Sequence, residues 1–167
     1  MSEKFEWLPE LITLNDHEGD WPNYCEAIYA IFHRDFVASK PTYAPKRFAL
    51  KRHPEYDGKA ATFWHLISEG PVEEQRTPDM RRCERIAWPK PIIEAIGNDN
   101  VRFWMNTRGR SKRILIAVED FSYVVILDDR KDFVLLWTTY HLKYSNQRRR
   151  MEREYEAWKK ENEPRNG

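Results

Sequence analysis

The chain has 167 residues, of which 41% are hydrophobic, 33% charged and 14% aromatic, and its formal net charge is +1 at pH 7. This length fits one domain that needs no disulfide or metal to fold, and the many aromatic side chains exclude an intrinsically disordered protein. No apolar run reaches the roughly 20 residues of a membrane helix, and the N-terminus lacks a signal-peptide pattern. With only two cysteines, the sequence predicts a cytoplasmic protein.

Charged residues are distributed unevenly along the chain. Residues 1–20 are strongly acidic with a few apolar anchors, which predicts an acidic lead-in before a single domain over residues 21–167. Residues 101–118 are basic and contain no acid, and residues 143–150 add four more basic side chains. Such clusters can create a local positive field on a near-neutral protein, although each can also be an ordinary solvated face.

Helical signals fill the first hundred residues. Asp20 followed by Trp21 and Pro22 predicts a helix start, because aspartate caps free amides and proline is tolerated in the first turn. Apolar residues then recur at helical spacing, and the helix must end before Pro41. Residues 59–68 predict a second helix, and residues 79–96 a helix that Pro89-Lys90-Pro91 interrupts.

Strand signals dominate after residue 100. Segments 101–105, 113–118, 122–127 and 132–140 are rich in β-branched and aromatic residues, and the short polar connections between them predict an antiparallel meander. Residues 47–51 form a further short candidate strand, and residues 144–162 predict a charged closing helix. The fold class is therefore α+β, with N-terminal helices packed on a four- to five-stranded antiparallel sheet and a C-terminal helix.

His65 is the most informative histidine. No histidine or cysteine spacing fits a zinc site, and neither a P-loop nor a nucleophile elbow is present, so we expect chemistry without metal or cofactor. His65 lies in an apolar helical turn, and an imidazole with a pKa of about 6.5 exchanges protons near neutrality. Glu69, four residues later, would orient it on the same helical face. The alternative is a core histidine that is hydrogen-bonded to the backbone.

Hydroxyl groups end the last predicted strand. Because side chains alternate with period two, Leu136, Thr138 and Tyr140 should share one face, and His141 should lie on the other. The neighbouring hydroxyls of Thr138 and Tyr140 are suited to binding a phosphate or stabilising a transition state. The alternative is a strand end made of residues with high β-propensity.

Arginines in two segments are candidates for phosphate contacts. Three of them fall within residues 81–85, and others lie near the longest predicted hairpin. Arginine binds phosphate in a bidentate manner, whereas the alternative here is solubility and pairing with Asp79 or Glu84. The predicted phosphate- or RNA-binding residues are Arg82, Arg85, Arg110 and Arg113.

Three motifs together carry a family resemblance. They are Phe-Trp-His-Leu-Ile at residues 63–67, Asp-Met-Arg-Arg-Cys-Glu-Arg-Ile-Ala-Trp at residues 79–88, and Leu-Trp-Thr-Thr-Tyr at residues 136–140, before a basic helix. From about residue 22 to residue 160, the chain resembles the phage-borne nuclease-like branch of the barnase–EndoU–colicin–RelE group. The resemblance implies a compact, toxin-like ribonuclease of phage origin with helices packed on a four-stranded antiparallel sheet.

The resemblance also implies a mechanism, in which the ribose 2′-hydroxyl attacks its own phosphate without a metal ion. Carried onto this chain, His65 would be the acid or base, Thr138 and Tyr140 would line the scissile phosphate, and Arg82 or Arg113 would neutralise it. The chain departs from the better-studied nucleases because it offers no second well-placed histidine.

Two other functions compete with ribonuclease activity. One is a non-catalytic RNA-binding or protein-interaction module on the same scaffold, in which Trp88, Trp104 and Trp137 would stack on unpaired bases. The other is a phage accessory protein that binds a host protein, while an inhibitor is a further candidate partner of the nuclease. The expected partner of the nuclease is single-stranded RNA or tRNA, with no membrane involved.

Overall fold

The computed structural model describes residues 5–43, 46–70 and 76–163. It has the predicted α+β architecture, with helices on one face of a five-stranded sheet and the last helix on the other face. The helices are α1 (Trp21–Phe36), α2 (Ala61–Ile67), α3 (Met80–Glu84), α4 (Pro89–Glu94) and α5 (Ser145–Glu161), with a short 3-10 helix at Leu14–His17. The strands are β1 (Arg47–Ala49), β2 (Ser68–Glu69), β3 (Thr77–Pro78), β4 (Val101–Arg108), β5 (Ser111–Val118), β6 (Tyr123–Asp129) and β7 (Phe133–His141).

The main sheet has the strand order β1-β7-β6-β5-β4. The predicted antiparallel meander is confirmed in β4 to β7. The fifth strand differs from the prediction, because β1 runs parallel to β7, with Phe48 opposite Val134. A parallel neighbour requires a long connection, and here three helices and most of the meander separate the two strands. A separate antiparallel pair joins β2 to β3.

The β4–β5 hairpin closes through a two-residue turn. Arg108 pairs with Ser111, and Gly109 between them has φ of +61°. This left-handed conformation is accessible to glycine without the steric cost that a Cβ brings. The tight turn fixes the register of the hairpin, and this register determines which basic side chains share a face.

Two apolar cores lie on opposite faces of the sheet. The face that packs against α1, α2 and α4, here called the helix-layer face, contributes Ile114, Ile116, Val125, Leu127, Val134 and Leu136. The other face, here called the α5 face, contributes Leu115, Ala117, Val124 and Ile126, and α5 packs on it through Met151, Tyr155 and Trp158. Because β5 and β6 are covered on both faces, most of their residues are apolar and do not alternate with polar ones.

The acidic lead-in packs on the domain over its described residues. Phe5 and Leu8 are buried in the main core, as expected of apolar anchors. The indole of Trp88 donates to the Pro9 carbonyl oxygen at 2.8 Å, and the Ile12 amide donates to the Glu84 carbonyl oxygen at 3.0 Å. These contacts hold residues 9–12 against the end of α3 and the start of α4.

The helix starts follow the local sequence. The Asp20 carboxylate accepts from the Asn23 amide at 3.3 Å, which confirms the predicted cap of α1. The predicted helix over residues 79–96 is two short helices, α3 and α4. Pro89 and Pro91 lie in the first turn of α4, where a missing amide costs little, and the break comes before them.

Helix α5 is the longest helix, with 17 residues, and none of them is fully buried. Its predicted position is confirmed to within a residue at each end. Within residues 5–43, 46–70 and 76–163, no helix combines the length and apolarity needed to cross a lipid bilayer.

Candidate functional site

The α5 face changes character along its strands. On β4, Trp104 is fully buried under α5, and the next two residues on the same face are Asn106 and Arg108. On β5 they pair with Arg113 and Ser111 respectively. The sheet face is therefore apolar beneath α5 and becomes polar and basic toward the β4–β5 turn.

Two adjoining cavities lie at this end of the sheet, near the β4–β5 turn, and we call them together the hairpin groove. The larger, of about 550 Å³, is lined by the cations Lys46, Arg110, Lys112 and Lys131. The smaller, of about 330 Å³, is lined by Arg108, Arg113, Trp137 and Tyr140. The cavities share Ser111, Asp128 and Arg130 in their linings, so they adjoin each other.

Positive charge predominates in the hairpin groove. Its lining contains seven cationic side chains and two carboxylates, those of Asp128 and Asp129. Each carboxylate already has a partner, since Arg130 lies 2.8 Å from Asp128 and Lys46 lies 2.5 Å from Asp129. Among the residues that the structure describes, no carboxylate forms an ion pair with Arg108, Arg110, Lys112 or Arg113. The groove thus has an uncompensated positive field that favours a polyanion.

Arg113 is held in place by a chain of hydrogen bonds that reaches α5. Its Nε donates to Asn106 Oδ1 at 3.0 Å, and Asn106 Nδ2 donates to Glu154 Oε1 at 2.7 Å. Burial lowers the pKa of Arg113, and repulsion from Arg108 lowers it further. An anion between these two guanidiniums would relieve that repulsion, so the pair is suited to binding phosphate.

A β-bulge in β7 alters the predicted alternation of side chains. Leu136 pairs with Leu127, but Thr138 pairs with Ile126, so Trp137 has no partner in the register. Leu136 therefore lies on the helix-layer face and does not share a face with Thr138, contrary to the prediction. The extra residue explains the difference, because a bulge shifts the period-two pattern by one position.

The predicted acid or base, His65, lies beside the groove on α2. Its partly buried ring packs against the Trp137 ring, with 5.5 Å between the centroids and 34° between the planes. Trp137 in turn lines the smaller cavity with Tyr140. The structure thus brings His65 next to the groove wall that contains Tyr140.

The hydroxyl of Thr138 is engaged by the backbone of α2. Thr138 is 5% exposed, and its Oγ1 donates to the His65 carbonyl oxygen at 3.1 Å. Thr139 makes the same kind of bond to the Leu66 carbonyl oxygen at 3.1 Å. The two threonines satisfy carbonyl groups at the C-terminal end of α2, which otherwise lack helical partners. A direct contact between Thr138 and phosphate stays a prediction.

Glu69 does not share a helical face with His65, contrary to the prediction. Helix α2 ends at Ile67, and Glu69 lies in β2, where it pairs with Thr77. The side chain of Glu69 is 63% exposed, and its carboxylate lies 3.9 Å from the Arg82 guanidinium. The helix is too short to provide the i, i+4 geometry that orientation through α2 requires.

The four predicted arginines divide into two groups. Arg110 and Arg113 line the hairpin groove. Arg82 is 6% exposed, donates to the Ser68 carbonyl oxygen at 2.7 Å and lies 4.8 Å from the centre of the Tyr140 ring. Arg85 is largely buried, donates to a backbone carbonyl and packs on an indole ring. Arg82 and Arg85 thus contact protein groups, and phosphate contact by either stays a prediction.

His141 lies at the far end of β7 from the β6–β7 turn, where it pairs with Tyr123. Burial, followed by repulsion from Arg85, lowers the pKa of His141 to about 4. The imidazole is therefore neutral at pH 7. It does not line the hairpin groove, which agrees with the expectation that His141 and Thr138 lie on opposite faces of the strand.

The tryptophans proposed as stacking surfaces differ sharply in exposure. Trp88 is 3% exposed and Trp104 is fully buried, so stacking by these two is a wrong prediction. Both fill apolar cores, which is the usual location of a large aromatic side chain. Trp137 is 38% exposed and remains available.

Several residues of the groove escaped the sequence analysis. The alternation of Asn106 and Arg108, opposite Arg113 on the next strand, is a local signal that identifies part of the basic face. No local signal identifies Lys46, because its partner Asp129 is 83 residues away along the chain.

Within the described parts of the chain, no group of three or more histidine, cysteine or acidic side chains is arranged to hold a metal ion. In comparisons with known proteins, no family profile, curated protein or solved structure matches the chain.

Proposed function

We propose that this protein is a metal-independent endoribonuclease that holds RNA in the hairpin groove. The observation that carries the proposal is the juxtaposition of Arg108 and Arg113, without carboxylate partners among the described residues, with the Tyr140 side chain in one cavity. Cationic groups around a hydroxyl are what an in-line phosphoryl transfer needs, since its transition state concentrates negative charge on the phosphate oxygens.

In the proposed reaction, the ribose 2′-oxygen attacks the adjacent phosphorus as the bond from phosphorus to the 5′-oxygen breaks. A base takes the proton from the 2′-hydroxyl, and an acid gives a proton to the leaving 5′-oxygen. The products are a 2′,3′-cyclic phosphate and a free 5′-hydroxyl, so no water or cofactor enters this step. Positioned acid–base groups contribute about 10²- to 10⁴-fold each to such a transfer.

Three side chains have roles in this proposal. Arg108 and Arg113 bind the phosphate, and the anchoring of Arg113 by Asn106 reduces the motion lost on binding. The Tyr140 hydroxyl contacts the scissile phosphate or its leaving oxygen. The ring of Tyr140 packs over the buried Arg82 guanidinium, which fixes its orientation and places a positive charge next to it.

His65 keeps the acid–base role, because its partly buried ring contacts the wall of the groove at Trp137. An imidazole can accept a proton at one ring nitrogen and donate one from the other, which is what an acid–base group in this reaction must do. The cytoplasm is the proposed location, since both cysteines are free thiols, as in most proteins of reducing compartments. A toxin-like role, phage origin and an inhibitor or host partner belong to the proposal only through the resemblance.

Non-catalytic RNA binding is the second candidate function. The observation that favours it is the hydrogen bond from the Thr138 hydroxyl to the His65 carbonyl oxygen, because one of the predicted catalytic groups already has a backbone partner. The same excess of cations would then bind RNA without cleaving it.

The test is an RNA cleavage assay with the full chain in EDTA. The substrates are a labelled single-stranded RNA, a tRNA and the single-stranded oligomer with 2′-deoxyribose throughout. We expect both RNAs to be cut to 2′,3′-cyclic phosphate ends and the deoxy oligomer to remain intact. His65→Ala and Tyr140→Phe should reduce cleavage at least about 100-fold with the fold preserved, whereas Tyr56→Phe, at an exposed site outside the groove, should not.

Each contrary result has one meaning. Salt-dependent RNA binding without cleavage would favour the second candidate. Cleavage that requires a divalent metal would contradict the mechanism, and a wild-type protein that neither binds nor cuts RNA would contradict both functions.

A further inference from the structure

The bulge in β7 places the side chain of Trp137 at the edge of the hairpin groove. Trp137 is the residue that the register leaves without a partner on β6. Bulges commonly re-aim a side chain next to a binding site. Here the result is that the largest apolar side chain of the strand borders a cavity lined by arginines.

Trp137 is the most exposed of the described tryptophans, at 38%. Exposure of an indole leaves in water an apolar area that burial elsewhere would remove. The ring nevertheless has neighbours that limit its motion, because His65 packs against it at 5.5 Å. A fixed, partly exposed aromatic face beside cations is the arrangement that single-stranded nucleic acids recognise.

The backbone around Trp137 is also fixed. Thr138 and Thr139 bond to the last carbonyl groups of α2, so the strand is tied to the helix directly after the bulge. The backbone that carries Trp137 is therefore held in place beside the cavity that Arg108 and Arg113 also line. Such preorganisation lowers the entropic cost of binding.

We propose that Trp137 is a base-stacking platform for single-stranded RNA whose backbone phosphates lie between Arg108 and Arg113. This inference rests on the proposed function and specifies its substrate class. In a duplex the bases are already stacked and paired, so only an unpaired base can lie on the indole. The groove thus selects single strands, loops or ends.

The matched variants are Trp137→Leu and Trp137→Phe. Both remove the indole and keep an apolar side chain, but only phenylalanine retains an aromatic face. Tyr56→Ala removes an aromatic side chain that is 72% exposed and lies outside the groove, so it is the control. Circular dichroism and thermal melting verify that each variant is folded.

The probe is a fluorescein-labelled eight-nucleotide single strand with 2′-fluoro ribose, which lacks the attacking hydroxyl and is bound without being cut. Binding is followed by anisotropy at fixed salt. We expect Trp137→Leu to weaken binding by roughly 5- to 100-fold, the loss typical of one stacked base. Trp137→Phe should stay within about 3-fold of wild type, and Tyr56→Ala should not change affinity.

A scan with one abasic nucleotide separates stacking from a structural effect. For wild type, the abasic residue should weaken binding most at one position of the oligomer. In Trp137→Leu that position should lose most of its effect, because the base and the indole form one interaction and their losses do not add. A general distortion of the groove would leave the abasic effect unchanged.

Two results would overturn the inference and leave the proposed function standing. One is binding by Trp137→Leu within 2-fold of wild type while Arg108→Gln still weakens binding. The other is an abasic effect of equal size in wild type and Trp137→Leu. Wild-type protein that binds no single strand would overturn the inference together with the proposed function.

Discussion

The side-chain hydroxyl of Thr138 donates a hydrogen bond to the backbone carbonyl oxygen of His65 over 3.1 Å. The two residues are thus joined through the backbone of one and the side chain of the other. The bond ties the last strand of the meander to the C-terminal end of α2, and it keeps the His65 ring beside Trp137.

Thr138→Val should lower the free energy of unfolding by about 1–3 kcal/mol, because the His65 carbonyl oxygen loses the nearer of two side-chain donors and keeps Arg76 at 3.5 Å. Thr138→Ser should recover most of the loss. Urea unfolding followed by circular dichroism measures both, with Thr107→Val, at an exposed position on β4, as control. Unchanged stability together with lost RNA cleavage would instead place the hydroxyl in the chemistry.

Arg108→Gln should weaken RNA binding and lower the slope of log affinity against log salt by about one, because one phosphate contact is removed. The control is Arg102→Gln on the same strand, since Arg102 lies outside the groove at the other end of β4 and donates to the Asp99 carbonyl oxygen at 2.7 Å. Filter binding between 50 and 300 mM salt measures both slopes. Equal slopes for the two variants would contradict phosphate binding at the hairpin groove.

Arg82→Gln should destabilise the fold by about 2–3 kcal/mol, because a buried, charged donor to the Ser68 carbonyl oxygen is removed. Its neighbour Arg81, with a side chain that is 60% exposed, is the control, and Arg81→Gln should change stability by less than about 1 kcal/mol. Thermal and urea unfolding report the difference. A stable Arg82→Gln protein with weakened RNA binding would show that Arg82 contacts phosphate after all.

His141 should make stability depend on pH in the acid range. Its pKa falls to about 4 in the folded protein, mainly through burial, whereas an unfolded histidine titrates near 6.5. Between these pH values His141 binds a proton in the unfolded chain but not in the folded protein. The contribution of His141 to the free energy of unfolding is therefore greatest above about pH 6.5 and declines as the pH falls towards 4. For one proton, the free energy of unfolding changes by at most about 1.4 kcal/mol per pH unit.

The measurement for His141 is urea unfolding from pH 7.5 to pH 4.5. His141→Gln should flatten the decline, while His33→Gln, at an exposed position on α1, should leave it in place. An identical decline in wild type and His141→Gln would assign the pH dependence to other groups.

Some features of the groove could be predicted from neighbouring residues in the sequence, and others could not. The four strands of the meander were predictable, because their apolar runs and short polar connections depend only on neighbouring residues. The position of Arg110 and Arg113 near the β4–β5 turn was predictable for the same reason. The burial of Arg82 was not, since it depends on Ser68 and Tyr140, which other elements bring to it.

The sequence by itself determined the α+β class, the cap at Asp20 and the order of the meander, because each follows from the side chains of a short stretch of chain. Only the tertiary structure decided that β1 is parallel to β7, that Lys46 joins the groove and that the bulge turns Trp137 towards it. These features depend on which distant segments fill each sheet edge and face. That choice minimises the free energy of the whole packed core, which no single stretch of sequence encodes.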